Sequence, residues 1–186
     1  MFKYFIILIF LNLGKANAQN IELSVCKPDS SPMPFANNLV CVRLQYNLYD
    51  SIKIKITDSL VFNNKKFYAK DDAISSFITE NENGEVYNFD EKKQKEVLLI
   101  PQKDTLDYEI EYKGMMYKVI DYHIRLKTPF CEYDDVIMIL FKPKDFYKYF
   151  GDTLYYKRGI GFVAIEEGNK PMEYLVRRYI EVKDKD

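Results

Sequence analysis

In 186 residues the chain carries 27 lysines and arginines against 28 aspartates and glutamates, a formal net charge of −1. That balance, with no basic block, excludes electrostatic capture of nucleic acid. A single histidine excludes a zinc site of two histidines, while 16 tyrosines and 13 phenylalanines beside only 7 glycines fit a packed β protein.

The first 18 residues read as a secretory leader. Lys3 supplies the positive start, Tyr4 to Leu13 the apolar stretch, and Ala16-Asn17-Ala18 the small-residue cleavage site. The apolar stretch is shorter than the roughly 20 residues that span a bilayer, and a retained anchor is the competing reading. No small residue precedes Cys26, so Leu23-Ser24-Val25-Cys26 is a poor lipid-attachment box. The expectation is an exported chain that starts near Gln19, has no transmembrane segment after cleavage, and forms one β-rich domain over 19–186. Its compartment would be the periplasm or the exterior.

Ile21 to Val25 reads as a first strand, followed by a loop rich in proline (Pro28, Pro32, Pro34). Cys26 and Cys41 flank that loop. An exported protein can hold a disulfide, and joining them would close about 15 residues, worth about 3 kcal/mol in the chain-entropy picture. Buried free thiols are the alternative, and Cys131 would then be a structural cysteine. Leu39 to Tyr49 alternates as a half-buried strand, and Ile52, Ile54 and Ile56 alternate with lysines as another. Asn63-Asn64 and Asn83-Gly84 read as hairpin turns. Asp71 to Ile78 is ambiguous, with a helical turn one option; Asp90 to Lys95 is a solvated charge run; Val97 to Ile100 is a strand stopped by Pro101.

Tyr108, Ile110 and Tyr112 then turn at Lys113-Gly114 and return as Met116 to Lys127, with Ile120, Tyr122, Ile124 and Leu126 expected on one face. Tyr133 to Phe141 is apolar on both faces and reads as a central strand. Asp145 to Phe150 reads as a helical turn or an aromatic loop. Tyr155 to Ile165 is expected to run as one bent strand with Gly159 and Gly161 on the same face. A turn at Gly168 to Pro171 sends the chain back through Tyr174, Val176, Ile180 and Val182, a face interrupted by Arg178. The predicted fold is mainly β: an antiparallel curved sheet, half-barrel or barrel, with one or two short helical segments.

Residues that could carry chemistry are few. His123 lies between Asp121 and Arg125 on a polar strand face and reads as a surface residue. Glu132, Asp134 and Asp135 cluster without the spacing of a calcium loop, and Asp71-Asp72 is a pair of the same kind. The Gly159-Ile160-Gly161 pattern lacks the third glycine and following helix of a phosphate site. No catalytic residue, metal set or cofactor motif stands out, and no ligand-binding residue is legible.

Tyr155-Tyr156-Lys157-Arg158-Gly159-Ile160-Gly161-Phe162-Val163, followed by Glu173-Tyr174-Leu175-Val176, resembles a recurrent ending of secreted bacterial proteins. Thr128-Pro129-Phe130 through Asp135-Val136-Ile137-Met138 looks like the strand that precedes it there. Many such proteins are uncharacterised; the best understood resemble the half-barrel lipoprotein carriers of the bacterial envelope. The resemblance covers about the last third of the chain and implies a curved antiparallel sheet without catalytic residues. The first functional expectation is a non-enzymatic envelope protein holding an apolar ligand such as a lipid. A structural or protein-interaction module is the alternative, and a hydrolase of polymers or lipids the third reading.

Overall fold

Asn63 and Asn64 stand at φ of 47° and 59°, and Lys113 and Gly114 at 52° and 76°. Paired positive φ values make the tight turns whose twist matches a hairpin, so these two pairs join β4 (Ile56–Phe62) to β5 (Lys65–Lys70) and β9 (Glu109–Tyr112) to β10 (Met115–Lys127). The computed structural model describes residues 19–29, 34–45, 48–71, 77–145, 151–168 and 170–182. Its other strands are β1 (Gln19–Leu23), β2 (Asn38–Gln45), β3 (Leu48–Ile54), β6 (Phe77–Glu80), β7 (Val86–Asp90), β8 (Lys95–Ile100), β11 (Glu132–Pro143), β12 (Asp152–Lys157), β13 (Gly161–Glu167) and β14 (Lys170–Val182).

The strands form two antiparallel sheets. One runs β3-β2-β14-β13-β12-β11-β10-β9, with β1 also paired to β14; the other runs β4-β5-β6-β7-β8. The mainly-β antiparallel expectation holds, and among the described residues neither sheet closes into a barrel. The only helical element described is a single 3-10 turn at Pro34–Ala36. Of the ambiguous stretch 71–78, Phe77 and Ile78 are strand, and 72–76 lie outside the described residues. Most of the second helical candidate, 146–150, also lies outside them.

The chain changes sheets at Lys55, where the sequence suggested one strand through Ile56. Asn38 Oδ1 accepts the Ile56 amide at 2.7 Å, and the Asp71 carboxylate accepts the Lys55 amide. Two side chains remote in sequence thus satisfy the backbone at the corner, which a continuing ladder would otherwise have to do. The sheets meet through a core in which Ile78, Val86, Val97, Leu99 and Ile100 pack with Tyr117, Val119, Ile137, Ile139, Leu154 and Tyr156.

Bulges shift the expected faces. β10 slips against β11 between Val119 and Asp121, so Val119 and Tyr122 are buried while Ile120 is exposed, off the face predicted for it. One extra residue reverses the alternation and bends the strand. β14 slips between Leu175 and Arg177, which places Arg178 inward with no exposed surface. The expected continuous strand from Tyr155 to Ile165 is instead a hairpin turning at 158–160, where Ile160 donates to Lys157 O at 3.0 Å. Gly159 there has φ 74°, and a Cβ on it would come within 2.9 Å of Pro28 Cβ. Only glycine fits both constraints.

The cysteine pairing differs from the expected one. Cys26 bonds Cys131, 105 residues away with Cα atoms 5.5 Å apart, and Cys41 is a buried free thiol. β1 pairs with β14 rather than with β2, which carries the segment after it over the 128–131 turn. Tyr133 Oη donates to Val25 O at 3.1 Å and fixes that crossing. Cys41, on β2, is committed to the core with Leu39, Val163 and Leu175.

Candidate functional site

Between the sheets lies a partly enclosed cavity of about 300 Å³. The five-stranded sheet contributes Ile78, Asn88 and Leu99; the other contributes Leu39, Cys41, Leu154, Phe162, Val163, Ala164 and Leu175. Leu39, Cys41 and Arg43 follow strand alternation, whereas consecutive residues 162–164 of β13 all reach the cavity. Its volume lies at the lower end of the range for small-molecule sites, about 300–1,000 Å³.

Five polar side chains interrupt the apolar lining: Arg43, Lys70, Asn88, Asp152 and Glu173. Arg43 donates to Glu173 Oε2 at 3.2 Å, the guanidinium side chain 42% exposed and the carboxylate 8%. Lys70 Nζ lies 5.4 Å from the centre of the Phe35 ring, within cation–π range. Burial, reinforced by the neighbouring Glu173 carboxylate, pushes the Cys41 thiol far above its ordinary pKa. Burial and the hydrogen bond to Glu173 favour its neutral thiol form in the wall. A broader depression of about 720 Å³ lies between the 91–94 and 113–114 turns, lined by Asp90, Lys92, Lys93, Glu111 and Lys113. Its charged, solvated lining makes it a weak candidate.

Apart from Cys41, the residues flagged in the sequence fall outside this cavity. His123 is exposed at φ 58°, its Nδ1 bonded to Asp135 and its Nε2 2.7 Å from Asp104. Both ring nitrogens are occupied by carboxylates, so neither is left to take a proton from a nucleophile. Asp135 and then Asp104 raise the His123 pKa above its ordinary 6.5. The imidazolium thus contributes stability that is fully present below the unfolded value and lost as pH rises through the folded one. In an NMR titration the ring is expected to titrate above 6.5, and Asp104→Asn to move the midpoint down; a midpoint unmoved by the substitution would contradict this.

Glu132 and Asp134 pair with Arg125 at 2.9 and 3.3 Å, and Asp135 lies 3.6 Å from Lys157. Among the described residues no group of three potential ligands could hold a metal ion. Asp71 caps the corner at Lys55, and Asp72 is outside the described residues. Gly161 opens a strand, not a helix. Among the described residues no helix is long and apolar enough to cross a membrane, which says nothing of strands.

Two groups escaped the sequence reading. Glu80, 6% exposed, accepts from the Tyr156 hydroxyl and from the Gly159 amide at 3.0 Å. Burial holds its carboxyl above the ordinary range, partly offset by those two bonds and by Arg158. Arg158 donates to the carbonyls of Gly84, Pro101 and Gln102. Together they fasten the 158–160 turn to the five-stranded sheet, a structural role in which the carboxyl oxygens are already engaged. No periodicity marks Glu80, whereas Arg178 was visible as a charge on an apolar face.

Comparisons with protein-family models, with curated proteins and with solved structures give no match to this chain.

Proposed function

We propose that this is an exported, non-enzymatic protein of the bacterial envelope that holds an apolar ligand such as a lipid between its two sheets. The observation that carries the reading is the 300 Å³ cavity with its largely aliphatic and aromatic wall, because apolar concave space with a few placed polar groups is the common form of a small-molecule site. The leader-like residues 1–18 and the Cys26–Cys131 disulfide support an oxidising compartment, periplasmic or external. The likeness of the closing strands to half-barrel lipoprotein carriers supports the ligand class.

The interaction-module alternative rests on Tyr49 and Val61, 64% and 71% exposed on β3 and β4 at the outer edges of the two sheets. Scattered apolar residues of this kind are ordinary on monomer surfaces, so the cavity carries more weight.

The test is fluorescence titration with N-phenyl-naphthylamine, an apolar dye that brightens out of water. Wild-type protein is expected to give a saturable increase reversed by decanol. Ala164→Leu places three further carbons in the cavity wall. It should weaken the dye by at least about tenfold while the thermal midpoint holds or rises, since it fills space instead of overpacking a dense core. A non-saturable signal, or one indifferent to Ala164→Leu, would sink the ligand reading.

A further inference from the structure

The polar groups in the wall restrict the ligand further. Two cations, Arg43 and Lys70, face two carboxylates, Asp152 and Glu173. Arg43 is already held by Glu173 and Lys70 by the Phe35 ring. An ionic headgroup entering here would lose its hydration and find no net opposite charge, which is costly.

Hydrogen-bond partners are what the wall lacks. Asn88 is 1% exposed, and its Oδ1 is buried without a partner among the described residues. Arg43 Nε is buried and unpartnered as well. Pairing of β7 with β6 and β8 fixes the Asn88 backbone opposite Ile78 and Val97. Asn88 lines the cavity, and its terminal amide torsion is broad and roughly two-fold, so the amide can adjust to a donor that enters there. That oxygen calls for a donor and the guanidinium Nε for an acceptor; a hydroxyl supplies both.

We infer that the cavity takes an uncharged single-chain amphiphile with a hydroxyl head, the class of medium-chain fatty alcohols, with Asn88 accepting its hydrogen bond. At about 30 Å³ for each water-sized group, the space holds on the order of ten such groups, enough for one chain. The inference rests on the cavity being an apolar ligand site.

The test is displacement of N-phenyl-naphthylamine from the mature chain by decanol, decanoate and decylammonium, which share one chain and differ in the head. Decanol is expected to bind at least about tenfold tighter than either ion. Asn88→Leu removes the unpartnered Oδ1 together with Nδ2, so a urea midpoint is measured alongside; dye binding should persist while the decanol advantage shrinks severalfold. An ion that binds as well as decanol overturns the neutral-headgroup inference and leaves the apolar site standing. Failure of all three to displace the dye, or of the dye to bind, overturns the ligand reading itself. Decanol affinity unchanged in Asn88→Leu removes Asn88 from the site. Should that variant not fold, the wild-type ranking still decides the headgroup.

Discussion

Cys131→Ser is expected to lower the unfolding free energy by about 4–5 kcal/mol, the chain-entropy value for a closed loop on the order of 100 residues. Cys131 joins Cys26 across 105 residues, so its loss frees most of the denatured chain. Domains of this size are stable by only about 5–15 kcal/mol, which makes this a large share of the total. Urea unfolding of the variant checks the value, and Cys26→Ser should match it. Cys41→Ala, by contrast, removes a buried thiol that forms no disulfide and gives up only its hydrogen bond with Glu173. It should cost about 1 kcal/mol, the usual order for a small change in a core. A larger loss from Cys41→Ala than from Cys131→Ser would point back to a bond between Cys26 and Cys41.

The second large effect is at Arg178. Its guanidinium has no exposed surface, and it donates to Ser24 O through Nε at 3.1 Å and through Nη2, to Lys27 O at 2.6 Å, and approaches Gly159 O at 3.5 Å. Burial lowers its pKa, an effect that the nearby Asp29 opposes. Arg178→Met keeps much of the volume but strands those carbonyls. Hydrogen bonds to a charged group are worth about 1.5–3 kcal/mol each, but Ser24 and Lys27 are exposed and water can take up part of the loss, so roughly 2–3 kcal/mol is expected. Arg178 and the disulfide hold the same segment, 24–29, over the sheet. Their effects should therefore be non-additive, with Arg178→Met costing less once Cys131 is serine. Equal costs in both backgrounds would mean that the two anchors act independently.

How much of this was readable in the sequence follows the range of the interaction that decides each feature. Asn63-Asn64 and Lys113-Gly114 were legible because a turn is decided by residues that tolerate positive φ, within four positions. The long central β11 was legible from its two apolar faces. The partition into two sheets was not, because Lys55 turns the corner only where Asn38 and Asp71 meet its neighbours. The cysteine pairing failed for a related reason: nearness in sequence favoured Cys41, while the pairing of β1 with the last strand decided for Cys131. The face of Ile120 depended on a bulge that no composition signals. The cavity itself was invisible, since a wall residue such as Leu99 follows the same alternation as a filled-core residue such as Val86. Arg178 was visible only as an anomaly, a charge where the apolar face should continue.

The ligand reading is tested most directly by native mass spectrometry of the protein recovered from the periplasmic or secreted fraction of a bacterial host. The expected spectrum is a chain starting near Gln19 with extra mass that leaves on organic extraction, and the extracted species should be a neutral single-chain amphiphile. A bare chain that also gains no adduct on incubation with decanol would contradict the account and leave the sheet edges at Tyr49 and Val61 as the better place to look for a partner.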